Sequence, residues 1–276
     1  MLEIKVSNKG AELTSINFNG KEMLHDGKTY WDRQAPILFP IVGRLKDNKT
    51  IINDNVYEMT QHGFARDMQF EVIKDEKNEK VYKLESNNET LKKYPFKFEL
   101  YISYIIKEDN LTIKYKVVNK DNKEMIFGIG GHPGIKIDNK QEDYYFELEQ
   151  EENNIEFMEV DGAYISNKPA PNLLRNKKII DITKDSFIND AIIIKNFKSK
   201  NIALKQKKDN KKIVECDISD FPTLGIWSMP GASYICIEPW YSTADKTDST
   251  GYLKDKEGIQ KLETNSEFEC EYSLKF

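Results

Sequence analysis

Residues 98–119 read FELYISYIIKEDNLTIKYKVVN. Phe98, Leu100, Ile102, Tyr104 and Ile106 fall on one face of the first run. Leu111, Ile113, Tyr115 and Val117 fall on one face of the second, against Thr112, Lys114 and Lys116. Side chains of a strand point alternately to its two faces, so an apolar period of two predicts strands with one covered face. Glu108-Asp109-Asn110 is a turn between them, and the stretch is a long antiparallel hairpin.

The same signals recur along the chain. Asn19-Gly20 closes a hairpin near the start, and Asn53-Asp54-Asn55 a further one. Other strand candidates are 68–74, 80–86, 124–129, 144–150, 190–195, 201–206, 212–217, 223–228, 234–238 and 267–275. Helix signals are weak; the best is a turn or two at Glu89–Lys93, stopped by Pro95. Many strands with short turns predict an all-β fold, a large antiparallel β-sandwich. Residues 161–186, with Pro169 and Pro171, read as an irregular excursion. No repeat or linker divides the chain, so 1–276 is read as one domain.

Charge excludes some partners. The 41 basic and 46 acidic residues are interspersed and leave a net charge of −5, which argues against nucleic acid or an anionic membrane. No run approaches the roughly 20 apolar residues of a membrane span. The first ten residues, MLEIKVSNKG, contain no apolar signal segment, so a cytoplasmic protein is expected. Cys216, Cys236 and Cys270 are odd in number and far apart, and are expected to be buried reduced thiols.

Rare residues mark the candidate site. Only four residues are Arg (Arg33, Arg44, Arg66, Arg175) and three are His (His25, His62, His132). Three of the Arg and one of the His lie between Trp31 and Asp67. Arg offers donors in a fixed planar fork suited to carboxylate, phosphate or vicinal hydroxyls, so this stretch reads as one wall of a polar ligand site. In APILFPIVGRL (35–45) the prolines make a poor central strand, and the segment reads as a rim that presents Arg44. Taken alone, Arg44 is equally a structural ion pair or a ligand contact. In QHGFARD (61–67) a Gly-permitted turn holds His62 near Arg66. In GIGGHPG (128–134) the glycines suggest close backbone approach to a ligand; the bland reading is a Gly-rich turn that contains a His. In YICIEPWY (234–241) Glu238 ends an apolar strand, where a carboxylate is costly unless paired or functional. Trp240 and Tyr241 offer flat faces on which a sugar could stack. The short His spacings of a readable metal site are lacking, as are a GxSxG nucleophile and a Gly-rich nucleotide loop, so neither metal nor cofactor is expected.

These four segments, in this order, resemble the aldose 1-epimerase (mutarotase) superfamily, most of all its LacX-like and hexose-6-phosphate-mutarotase-like branch. The resemblance spans nearly the whole chain, and GGHPG and IEPW carry it most specifically. It implies a β-supersandwich with its site in a cleft on one sheet, and exchange of the α and β anomers of an aldose. It further implies that His132 is the general acid, Glu238 the general base, His62 a hydrogen-bond partner of the substrate and Arg44 a substrate-binding Arg. Asp190, in SFINDAIII, is the candidate for the family's mid-chain substrate-binding Asp. GIGGHPGI differs from the Asn-rich, aromatic segment of the free-galactose enzymes, which puts galactose or glucose in question as the substrate. In the hexose-6-phosphate branch the Arg of HGFAR helps to bind phosphate; here that position is Arg66, and Arg33 lies near where a second would be.

Anomer exchange removes the O1 proton while protonating the ring oxygen. A carboxylate and an imidazolium on opposite sides of the acetal carbon would do both, with Glu238 ionised and His132 protonated at the start. The expected partner is therefore a small sugar or sugar phosphate. The competing readings are a sugar-binding protein without turnover, or a different isomerase or lyase on the same scaffold.

Overall fold

A computed structural model describes all 276 residues and shows two large antiparallel sheets. The ten-stranded sheet runs in the order Leu174–Arg175, Ile179–Asp181, Tyr144–Leu148, Asn201–Gln206, Lys212–Asp217, Glu267–Lys275, Asn110–Asn119, Phe98–Lys107, Glu79–Glu85 and Glu71–Asp75. The eight-stranded sheet contains Tyr164–Pro169, Glu156–Asp161, Ile192–Lys195, Thr223–Trp227, Tyr234–Tyr241, Ile129–Gly131 and Ile37–Leu38, in that order. Its eighth strand, Gly134–Lys136, also pairs with Tyr234–Tyr241. No helix is long and apolar enough to cross a membrane.

The 98–119 hairpin forms as its alternation predicts. Leu111 pairs with Ile106 and Val117 with Leu100. Phe98, Leu100, Ile102, Tyr104, Leu111, Ile113, Tyr115 and Val117 are all buried in one hydrophobic core between the sheets. Each such side chain contributes roughly 1.5–3 kcal/mol by leaving water. Buried hydroxyls need partners, and Tyr104 Oη donates to the carbonyl of Ala11 at 2.6 Å. Asn53 and Asp54 both take left-handed φ in the two-residue turn between Lys49–Ile52 and Asn55–Glu58. The short helix is Asn88–Lys93; Asn87 caps it by accepting from the N–H groups of Glu89 and Thr90.

Two expectations change. Residues 161–186 are not irregular: they carry the strands Tyr164–Pro169, Leu174–Arg175 and Ile179–Asp181 and lead from the edge of one sheet to the edge of the other. Strands at the outer end of a sheet are poorly covered, so their sequence shows little apolar alternation; Glu156–Asp161, next to the edge strand, is as poorly covered and escaped notice too. GIGGHPG is not a Gly-rich turn: it spans the short strand Ile129–Gly131 and the start of Gly134–Lys136, within the sheet. Its glycines make room for protein rather than ligand: a Cβ on Gly131 would lie 2.6 Å from Tyr272 Oη, and one on Gly130 would lie 2.8 Å from the carbonyl of Pro239. The proline-bracketed Ile37–Leu38 does lie at a sheet edge.

Candidate active site

Strand Tyr234–Tyr241 builds the floor of the site. Ile235 and Ile237 point into the main core. Tyr234, Cys236, Glu238 and Trp240 therefore face the other side, where a cleft of about 900 Å³ opens. The neighbouring strand is interrupted at His132-Pro133, where Ile237 N–H donates to the carbonyl of Pro133. The break brings His132 beside Glu238, with Nε2 3.0 Å from Oε2. On the other flank Glu238 pairs across to Gly225.

His62 comes from a second wall. It takes a left-handed φ of 66°, and Gly63 follows with 73°. Gly63 is required there, because a Cβ would meet the carbonyl of Phe39 at 2.3 Å. Gly43 N–H donates to His62 Nδ1 at 3.1 Å, while His62 N–H donates to the Gly43 carbonyl at 2.9 Å. Burial, helped by the nearby charge of Arg66, holds this imidazole neutral. Since Nδ1 accepts, Nε2 carries the hydrogen, and His62 is a fixed donor beside His132, with ring centroids 5.6 Å apart.

Arg44 and Arg66 reach the cleft side by side, joined through Gln61. Arg44 Nη2 donates to Gln61 Oε1 at 3.4 Å, and Arg66 Nη2 donates to the Gln61 carbonyl at 2.6 Å. Neither forms an ion pair, and the Nε of each is buried without a partner. Burial and Arg33 pull Arg66 down to about 10, so it stays charged at neutral pH. Arg33 does not line the cleft; its Nη2 is 2.9 Å from Asp67. Asp190, with φ of 92°, lines the opposite wall, where burial raises its pKa and Arg44 lowers it.

Burial works against the protonation pattern expected from sequence, an ionised Glu238 and a protonated His132. Burial pushes His132 down to about 3 and raises Glu238 well above the usual carboxylate range, with Asp190 adding to the latter. A charged pair is costly out of water, so burial favours the neutral form of both groups. Nor do the two groups stand on opposite sides of a gap. They touch, and they face the cleft together.

Trp31 and Trp227 were the missed residues; Trp240 was read as a stacking face. The chain has three tryptophans, and Trp31, Trp227 and Trp240 all line the cleft. Trp31 packs on His132 at 4.9 Å between centroids, and Trp227 on the same ring at 5.6 Å. Tyr241 is not part of this wall. Its ring packs on Phe221 and Phe268 on the core side, as its odd position along the strand requires.

Comparison with known proteins agrees with this architecture. Residues 1–248 match the sequence model of the family described as aldose 1-epimerase. The chromosomal protein LacX of Lactococcus lactis subsp. lactis is 30% identical over 95% of this chain and 92% of its own. A galactose mutarotase related enzyme from Lactobacillus acidophilus superposes with a TM-score of 0.91 at 33% identity, over 100% of this chain and 94% of its own. A galactose mutarotase-like protein from Lactobacillus casei gives 0.90 at 27% identity, over 99% and 96%.

Proposed function

The chain belongs to the aldose 1-epimerase family, and on that premise we propose that it exchanges the α and β anomers of a hexose phosphate by proton transfer through Glu238 and His132. The observation that carries this reading is the 3.0 Å contact of His132 Nε2 with Glu238 Oε2 in the floor of a cleft lined by polar and aromatic groups. Two bases that share one proton can release a proton and accept another in the same step. The anomeric oxygen and the ring oxygen are bonded to one carbon, so adjacent groups reach both.

Polar sugar hydroxyls entering the cleft reduce the cost of charge there, and the shared proton passes to His132. Glu238 takes the O1 proton as His132 gives its own to the ring oxygen. The C1–O5 bond breaks and C1 becomes a carbonyl. After rotation about C1–C2 the same transfers run backwards, and the ring closes on the other face. The Nε2–H of His62 serves as a neutral donor to a sugar oxygen, and Arg44 and Asp190 bind hydroxyls on either wall.

The reading is tested by polarimetry or anomer-exchange NMR on EDTA-treated protein, across free and phosphorylated aldoses. The expected result is faster equilibration of at least one of them. Because all three tryptophans line the cleft, intrinsic fluorescence reports binding separately. A fluorescence response to sugars without any acceleration would establish a binding protein instead.

The phosphate rests on the arginines. Arg33 and Arg175 each pair with an aspartate, whereas Arg44 and Arg66 face the cleft without one. Two unneutralised guanidiniums favour an anionic ligand. Charge-assisted hydrogen bonds contribute roughly 1.5–3 kcal/mol each. Arg66→Ala should therefore cut the preference for a hexose phosphate over its free sugar by about ten- to a hundredfold and spare turnover of the free sugar. Equal loss on both substrates, with a lowered melting temperature, would make Arg66 a brace for the turn at Gln61 and nothing more.

A further inference from the structure

We propose that the floor of the cleft is also a divalent-metal site, formed by His132, Cys236 and Glu238, and that a zinc-class ion held there blocks anomer exchange. The inhibitory half rests on the acid–base reading above; the binding half does not.

One donor atom from each of these three buried residues lies within 4.8 Å of the other two. Strand alternation puts Cys236 and Glu238 on the same face, two residues apart, and the break at His132-Pro133 brings the imidazole against them. Around one tetrahedral ion, with metal–nitrogen and metal–oxygen bonds of about 2.0–2.1 Å and metal–sulfur of about 2.3 Å, donors stand roughly 3.3–3.8 Å apart. Modest side-chain rotation closes the difference. Nitrogen, sulfur and oxygen together suit zinc or cobalt and not magnesium or calcium.

Unpartnered atoms on two of the three residues point to a ligand. His132 Nδ1 and Glu238 Oε1 are buried and lack any hydrogen-bond partner. Oε2 already lies on His132, and Oε1 remains to turn toward an ion. An ion reaches the site through the cleft, which His132 and Glu238 line, and water or the sugar O1 completes its coordination. Once bound, it occupies the lone pairs that the proton transfers need.

The test uses the intact protein and cobalt(II) as the spectroscopic probe. Wild type should show the near-ultraviolet charge-transfer band of a cobalt thiolate, and Cys236→Ala and Cys236→Ser should lose it. Zinc should inhibit anomer exchange in wild type. The inhibition constant, taken against each variant's own uninhibited rate, should rise by about a hundredfold without the thiolate, the upper end of what loss of an outer-shell partner alone costs. Absence of the band in wild type would overturn the proposal. So would a band that survives in both variants, since Cys216 or Cys270 would then be its source, or zinc inhibition unaltered by them. A Cys236-dependent band in a protein that moves no anomer would keep the metal site and remove the mutarotase reading.

Discussion

Glu238→Gln should turn over sugar about 10²–10⁴-fold more slowly than wild type, the usual worth of a positioned proton transfer. The amide keeps the shape of the carboxyl but can neither take the O1 proton nor pass one to His132. The loss should appear in kcat, with KM little changed, because the contact matters most as the proton moves. Folding should survive, since a buried carboxyl gives way to a group with no charge to desolvate. His132→Asn should cost a similar factor. The double variant should be scarcely worse than either single one, because both residues act on one shared proton and neither is useful without the other. Anomer-exchange rates with melting curves for the three variants are the measurement. Near-normal turnover in Glu238→Gln would end the mechanism.

Legibility from sequence followed burial. The 98–119 hairpin was readable because one of its faces meets the core and the other meets solvent. The edge strand Tyr164–Pro169 and its neighbour Glu156–Asp161 were hidden because neither face is consistently covered. The site was legible where residue types are scarce: Arg44, Arg66, His62 and His132 stand out in a lysine-rich chain, and all four line the cleft. The same scarcity would have found Trp31 and Trp227. Arg33 shows the limit of that argument, for a rare residue 2.9 Å from Asp67 is occupied by its own neighbour. The direction in which burial pushes the two titrating groups was not legible at all, because it depends on the burial of His132 and Glu238 together. That burial arises from a strand break 105 residues or so away from Glu238 in sequence. The purpose of the glycines was misread too: Gly130 and Gly131 relieve contacts with Pro239 and Tyr272, which only tertiary packing reveals.

Lys256 was equally invisible among 37 lysines, yet Lys256→Met should be among the most damaging single changes away from the catalytic pair. Its ammonium is 2.8 Å from Asp245 Oδ1, and both side chains are almost fully buried. Burial pulls the Lys256 pKa down and Asp245 pushes it back up. Asp245 is the junction of two cleft walls. Its Oδ2 accepts from Lys46 N–H at 2.8 Å, and its own N–H donates to the Arg44 carbonyl at 2.9 Å. Its carbonyl accepts from Ile165 N–H at 2.9 Å, which ties in the strand Tyr164–Pro169. Methionine preserves the bulk of the lysine stem and removes the charge. Asp245 is then left as an uncompensated buried anion, at a cost of about 3–5 kcal/mol. For a chain of this size each kcal/mol lowers the melting temperature by roughly 2–4 °C, so a fall of about 10 °C is expected. Removing both charges in Asp245→Asn/Lys256→Met should recover much of that loss, because the penalty belongs to the orphaned charge and not to the pair. Where the protein stays folded, KM should rise more than kcat falls, since Arg44 and Ile165 shape the walls without entering the proton transfer. Thermal melts of the two variants decide the matter. An unchanged melting temperature in Lys256→Met would mean that water or another cation already compensates Asp245, and that the walls are held by their backbone bonds alone.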